Sequence, residues 1–306
     1  MELVSNVKVI LPYSYFNFIV VGGGGNGSYL IPNLARIISI TNKKYGRNDT
    51  ITIVDGDVVE EKNIARQNFI VPDIDKNKAK VLADRYSRAF GVSISYISEY
   101  LTDKNHQNIF TMDYPQYSNG MIVVIGCVDN NKTRHLLHNI YKTTSYNMAY
   151  IDAGNEEYGG QVVFSTNKAM AENGITVGFR RYGSSDIKTV VEEFELSDDD
   201  KHPDDLSCAE RAISAPQNIG TNIKAADILF DYCNLILAGA ANYVNSTDRA
   251  EIINSRRPQS ERYKALIKRA PMIGNHIIYF DSRTGQTSAK PFSEDVQSYI
   301  KRIARM

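Results

Sequence analysis

Residues 16–67 constrain the fold of this chain more than any other stretch of its sequence. An apolar run at residues 18–21 leads into four consecutive glycines, residues 22–25, which precede a helical pattern. Glycines at such a place let a loop backbone approach phosphate oxygens, and the N-terminus of the next helix faces the same oxygens. The stretch predicts a nucleotide-binding unit in an α/β fold. Because glycines also mark tight turns and close packing without a ligand, the loop alone does not decide the function.

The residues after the second apolar run, residues 51–54, favour a nucleotide that carries a triphosphate. The run ends at Asp55, where a Rossmann-type fold places its ribose-binding carboxylate. The distance from the glycines exceeds the usual ~20 residues, so the helix and loop between them are longer here. Asn63, Arg66 and Gln67 then stand at i, i+3 and i+4, which puts them on one face of a helix or turn. Dehydrogenases have no general need for this arginine.

The order of these motifs along the chain resembles that of the ThiF/MoeB superfamily of ATP-dependent adenylating enzymes. This superfamily includes the activators of ubiquitin and ubiquitin-like proteins. The superfamily pattern is a GxGGxG loop, aspartate-x-aspartate after the second strand, N-x-x-R-Q, a downstream lysine, and C-x-D-N after a later strand. The matching residues are Gly22, Gly24, Gly25, Gly27, Asp55, Asp57, Asn63, Arg66, Gln67, Lys78 and residues 127–130. The likeness covers residues 16–238. The segments VGGGGNGSYLIPNLAR and CVDNNKTR are most similar to ThiF-family proteins of plasmid and phage PRTRC-type operons.

The resemblance implies a reaction and a set of site residues. The chain would use ATP and Mg²⁺ to adenylate the C-terminal carboxylate of a ubiquitin-like protein ending in glycine. The catalytic residues implied are Arg66, Lys78, Asp129 and Cys208, with Asp129 also holding Mg²⁺. The nucleotide-binding residues implied are Gly22, Gly24, Gly25, Gly27, Asp55, Asp57, Asn63, Gln67 and Asn130. A C-terminal carboxylate is already ionised at neutral pH, so no Ser/His/Asp arrangement is expected.

Three of these residues have simpler explanations that the sequence leaves open. Lys78 opens a predicted helix and would then be an ordinary solvated lysine. Asp129 would be the N-cap of a helix over residues 130–141. Cys208, which the resemblance marks as the acceptor of the acyl group, would be a small buried residue before a helix.

Composition and cysteine usage limit the classes of partner. The 306 residues contain 35 Lys plus Arg and 35 Asp plus Glu, so no net charge favours nucleic acid or an anionic membrane. The three cysteines, Cys127, Cys208 and Cys233, are far apart, which indicates a reducing compartment. No CxxC pair occurs, and no zinc site is expected. With neither a secretory pattern nor a membrane-length apolar run, we predict a cytoplasmic protein.

We predict a Rossmann-like fold with a mostly parallel central sheet flanked by helices. Residues 1–243 form the ThiF-like domain, with a polar crossover loop at about residues 166–207. Residues 244–306 form a C-terminal extension packed on the same domain, with a hairpin whose turn contains Thr284 and Gly285. A helix is predicted over residues 29–40, with Pro32 in its first turn.

The assembly and the substrate stay open at this point. Dimeric relatives place a helix before the glycine loop, and this helix contributes an arginine to the partner's active site; no arginine occurs here before Arg36. We predict a homodimer that also interacts with a conjugating enzyme. The alternatives are adenylation of a peptide or nucleoside, a dinucleotide-dependent oxidoreductase, and an inactive scaffold subunit of a heterodimeric activator.

Overall fold

A computed structural model describes residues 8–111, 120–171, 176–179, 187–197, 218–244 and 271–303 as an α/β fold. Its strands are β1 (Val9–Ile10), β2 (Tyr15–Val21), β3 (Thr50–Val54), β4 (Ile94–Ile97), β5 (Gly120–Gly126), β6 (Met148–Asn155), β7 (Gly159–Thr166), β8 (Lys168–Ala171), β9 (Thr176–Gly178), β10 (Asn275–Asp281) and β11 (Thr287–Pro291). Its helices are α1 (Gly25–Tyr45), α2 (Glu61–Ile64), α3 (Lys78–Phe90), α4 (His106–Thr111), α5 (Asn131–Thr143), α6 (Val190–Phe194), α7 (Ile219–Val244) and α8 (Glu294–Ile303), with a 3-10 turn at Val71–Asp73.

The central sheet is eight-stranded in the order β11-β10-β7-β6-β5-β2-β3-β4. Strands β6, β5, β2, β3 and β4 run parallel, whereas β7, β10 and β11 are antiparallel to their neighbours. Strand β5 is buried along its whole length, and such strands carry continuous apolar runs because helices cover both faces. The predicted mostly parallel sheet is confirmed, and the predicted C-terminal hairpin extends it at one edge.

Helices cover both faces of the sheet. Helices α1, α3, α7 and α8 contribute apolar side chains to one core cluster, and α4, α5 and α6 contribute to the other. Strands β1, β8 and β9 form a separate three-stranded antiparallel sheet. Within the described ranges, no helix combines the length and apolar character needed to cross a bilayer.

Helix α1 differs from the prediction, because it begins at Gly25 and contains Pro32 in its interior instead of its first turn. A proline has no N–H to donate to the carbonyl four residues earlier, which here belongs to Ser28. The side chain of Asn68 supplies a donor instead, with Nδ2 3.1 Å from that carbonyl oxygen. A contact distant in sequence thus lets the helix continue through the proline.

The described parts of the predicted crossover loop also differ from a polar surface segment. Strands β8 and β9 and helix α6 lie within it, and Ala169, Val190 and Val191 are buried. His135 and His138 of α5 bond to the Leu196 carbonyl and the Thr189 hydroxyl, so they hold the α6 segment in place and serve packing. Neighbouring apolar residues are buried together, Ala169 with Met170 in β8 and Val190 with Val191 in α6.

Candidate functional site

The predicted site residues follow strands that end side by side. Val21, the last residue of β2, pairs with Val54 of β3 and with Gly126 of β5. Because the strands are parallel, the glycine loop, Asp55 and residues 127–130 leave the sheet at one edge. Ligands of open α/β sheets bind outside this carboxyl edge.

The glycine loop packs against the chain that leaves β5. The Cys127 amide donates to the Val21 carbonyl at 2.8 Å. Gly22 has a φ of 97°, and a Cβ there would lie 2.5 Å from the Cys127 carbonyl oxygen. A Cβ at Gly27 would lie 2.0 Å from the Gly22 carbonyl oxygen. These two positions therefore accept only glycine, which lets the loop, the start of α1 and the chain after β5 pack closely together.

Asp55 is 7% exposed and binds the glycine loop directly. One carboxylate oxygen accepts from the Gly23 amide at 2.6 Å, and the other accepts from the Asp57 amide at 2.8 Å. Burial raises the pKa of Asp55 to about 6; the positive charge of Lys78 opposes this shift, and the negative charge of Asp57 adds to it. Asp55 therefore lies directly against the glycine loop, with a pKa raised toward neutrality.

Lys78 is buried, so the simpler explanation as a solvated helix lysine is wrong. Its Nζ lies 2.8 Å from Asp57 Oδ2, and Asp57 also accepts from the Tyr100 hydroxyl. Asn77 caps α3 and donates through Nδ2 to the backbone oxygens of Asp55 and Asp57 at 2.8 and 3.1 Å. Tyr100 and Asn77 were not predicted; an asparagine before the first helical residue is the signal that would have identified the second.

The N-x-x-R-Q segment folds as a turn over the glycine loop. Asn63 is buried; its side chain accepts from the Glu60 amide, and its carbonyl accepts from the amides of Arg66 and Gln67. In this structure the Asn63 side chain thus stabilises the start of α2. Gln67 is buried against Gly24, where a Cβ would lie 3.6 Å from Gln67 Nε2.

A chain of side-chain amides connects this turn to three other elements. Asn26 donates to Asn155 at 2.9 Å, Asn155 donates to Asn222 at 2.8 Å, and Asn222 donates to the Arg66 carbonyl at 3.3 Å. Since a carbonyl only accepts, it orients every amide in the chain and leaves Asn26 Oδ1 as an acceptor. Asn26 Oδ1 and Gln67 Oε1 are the buried side-chain oxygens without a partner in the described part of the chain. Buried acceptors beside the loop fit a polar ligand that supplies donors.

The turn after β5 carries Asp129, whose side chain is exposed. The N-cap of α5 is Asn130, which accepts from the Thr133 amide at 2.8 Å. The simpler explanation of Asp129 as a helix cap is therefore wrong, and Asn130 has this structural role. No group of three or more His, Cys, Asp or Glu side chains is gathered for a metal within the described ranges. A lone carboxylate still fits Mg²⁺, which takes one or two carboxylates together with phosphates and water.

Arg134 and Asp152 form a buried ion pair that the sequence analysis missed. Arg134 Nε lies 3.0 Å from Asp152 Oδ1, and its guanidinium also donates to the Val128 carbonyl at 2.8 Å. The Tyr150 hydroxyl donates to the other Asp152 oxygen at 2.8 Å. Burial raises the pKa of Asp152, and the Arg134 charge opposes that rise. The pair attaches the residue before Asp129 to strand β6.

The remaining predicted residue, Cys208, lies outside the described residues. The two other cysteines are buried, and burial raises the pKa of both the Cys127 and the Cys233 thiol. Both thiols are therefore protonated at neutral pH and poorly suited to accept an acyl group.

Comparison with known proteins places this arrangement in one family. The model of the ThiF family matches residues 14–235. A comparison with curated proteins found no match. Among solved structures, selenomethionine PaaA has a TM-score of 0.49 and 16% identity, over 92% of this chain and 66% of that chain. E. coli MccB with AMPCPP and selenomethionine MccA has a TM-score of 0.49 and 16% identity, over 90% and 64%. The chain thus spans less than two thirds of each of these solved chains.

Proposed function

Since the chain belongs to the ThiF family, we propose that it uses ATP to adenylate the C-terminal carboxylate of a ubiquitin-like protein. The observation that carries this proposal is buried Lys78, fixed 2.8 Å from Asp57 at the edge where Asp55 meets the glycine loop. A fixed cation beside a ribose acceptor suits a nucleotide with several charged phosphates. A dinucleotide-dependent oxidoreductase has no general need for it.

The proposed chemistry requires positioning and charge neutralisation. An ionised carboxylate attacks the α-phosphate of ATP, the new acyl–phosphate bond forms, and the bond to pyrophosphate breaks. Arg66 and Lys78 would neutralise charge that develops on the phosphate oxygens, while Asp55 accepts from the ribose and the glycine loop admits the phosphates. Mg²⁺ held by Asp129 would supply further neutralisation of the phosphates.

A second step to a thiol belongs to the same proposal. Cys127 and Cys233 are buried. We therefore assign Cys208, the cysteine that the family resemblance implies, as the acceptor of the acyl group. The acyl group would pass to the Cys208 sulfur with loss of AMP and of the thiol proton. A reductant-sensitive adduct that survives in Cys208→Ala would remove this residue from the proposal.

ATP–pyrophosphate exchange tests the proposed reaction. Exchange of labelled pyrophosphate into ATP is measured with Mg²⁺ and, in turn, no acyl donor, a ubiquitin-like protein ending in Gly-Gly, and a short synthetic peptide. We expect exchange only with the ubiquitin-like protein. Exchange with the peptide alone would make the peptide alternative correct. Calorimetry that finds binding of NAD and none of ATP would refute adenylation altogether.

The affinity for ATP is expected to fall as the pH drops through about 6. Asp55 has a pKa raised to about 6 in the folded protein, so it is ionised above this pH and protonated below it. A protonated carboxyl accepts ribose hydroxyls less well. Because ATP itself gains a proton in this range, the dissociation constants are compared with those of 2′,3′-dideoxy-ATP, which lacks the hydroxyls. The preference for ATP should fall roughly tenfold between about pH 7 and about pH 5; a constant preference would mean that Asp55 does not hold the ribose.

A further inference from the structure

Asn68 connects the turn that carries Arg66 and Gln67 to helix α1. Its backbone amide donates to the Ser28 hydroxyl at 3.0 Å, and its Nδ2 donates to the Ser28 carbonyl at 3.1 Å. The second bond exists because Pro32, four residues after Ser28, has no N–H to donate. Ser28 is fully buried, so its carbonyl would otherwise lose a hydrogen bond without compensation from water.

Ser28 also connects to the glycine loop. Its own amide donates to the Gly24 carbonyl at 3.0 Å. Gln67, the residue before Asn68, lies against the same glycine. The turn and the loop are therefore joined twice, once through Ser28 and Asn68 and once through the contact of Gln67 with Gly24.

On the basis of the proposed adenylation, we propose that Asn68 is a positioning residue for the phosphates of ATP. The missing N–H of Pro32 leaves the Ser28 carbonyl free to accept from the Asn68 side chain. This bond holds the turn that carries Arg66 and Gln67 in place, with Gln67 against Gly24 of the glycine loop. Asn68 itself lies one residue beyond the motif residues and acts through them. Fixing the turn in advance reduces the ordering that ATP binding would otherwise require.

Variants at positions 32 and 68 separate positioning from plain structural support. Asn68→Leu removes the side-chain donor, and we expect it to lower thermal stability and to raise the dissociation constant for ATP about tenfold. Pro32→Ala restores a backbone N–H for the Ser28 carbonyl. In the double variant, thermal stability should therefore recover, whereas ATP affinity should stay weak because the side-chain bond from the turn to α1 is still absent and only the bond from the backbone amide of residue 68 to the Ser28 hydroxyl remains.

Thermal denaturation is measured for wild type, both single variants and the double variant. Calorimetric titration with MgATP is then done on the same four proteins at a temperature where circular dichroism shows all of them folded. Tyr86→Phe is the matched control, since it removes the other acceptor of Asn68 Nδ2, a hydroxyl at 3.1 Å, and leaves the Ser28 bond intact; its ATP affinity should equal that of wild type. Recovery of ATP affinity together with stability in the double variant would refute a positioning role, as would wild-type affinity in Asn68→Leu. Failure of wild type to bind MgATP would instead refute the proposed function.

Discussion

Replacing Asp129 by alanine is expected to slow partner-dependent ATP–pyrophosphate exchange by about 10²-fold or more, the usual cost of removing one preorganised charge-stabilising group. The reason is loss of the carboxylate proposed to hold Mg²⁺ beside the phosphates. The fold should be unaffected, because the Asp129 side chain is exposed and the cap of α5 belongs to Asn130. The exchange rate is measured as a function of Mg²⁺ concentration, and the variant should need more Mg²⁺ than wild type.

Asp295→Ala is the matched control for this variant. Asp295 is an exposed acid in the first turn of α8, a helix that carries none of the proposed site residues, so its replacement removes the same charge from another element. Its exchange rate and its Mg²⁺ dependence should equal those of wild type. An exchange rate for Asp129→Ala within about twofold of wild type would contradict a metal-binding role and would leave the reaction without its proposed magnesium ligand.

Replacing Arg134 by methionine is expected to lower the free energy of unfolding by about 3–5 kcal/mol, because Asp152 would remain as a buried charge without its partner. Asp152 is 1% exposed, and burial already raises its pKa in the native protein. A carboxyl whose pKa is higher in the folded than in the unfolded state destabilises the fold most at high pH. The loss in Arg134→Met should therefore shrink as the pH falls and Asp152 takes up a proton. Denaturant unfolding at several pH values measures it.

Two further variants test this explanation of the Arg134→Met effect. Asp152→Asn in the same background removes the uncompensated charge and keeps an acceptor for the Tyr150 hydroxyl, so part of the stability should return. Arg47→Met breaks another buried ion pair, in which Arg47 Nε lies 2.6 Å from Asp49. Asp49 directly precedes β3, at the end of the strand opposite to Asp55. Both Arg134→Met and Arg47→Met should lose stability, but only Arg134→Met should also weaken MgATP binding, since Arg134 holds the Val128 carbonyl before Asp129. Equal ATP affinity in the two variants would contradict the link between Arg134 and the site.

The start of α1 shows where predictions from local sequence fail. A proline is normally accepted in the first turn of a helix, and this rule predicted a start at residue 29. The helix begins at Gly25 instead and continues through Pro32; Asn68, 40 residues after Ser28, donates to the Ser28 carbonyl in place of the N–H that Pro32 lacks. The start of helix α3 at Lys78 was predicted correctly, and the helix ends at Gly91 in the left-handed conformation that glycine adopts readily.

The sequence by itself determined the parallel sheet, the glycine loop and the placement of Asp55 and Asp129 after their strands, because apolar runs, glycines and strand ends are local features. Only the tertiary structure decided which polar groups meet: Lys78 with Asp57, Arg134 with Asp152, and Asn222 with the carbonyl of Arg66, 156 residues earlier. These contacts depend on how the helices pack across the sheet. Periodicity and propensity describe one element at a time, so they do not contain that information.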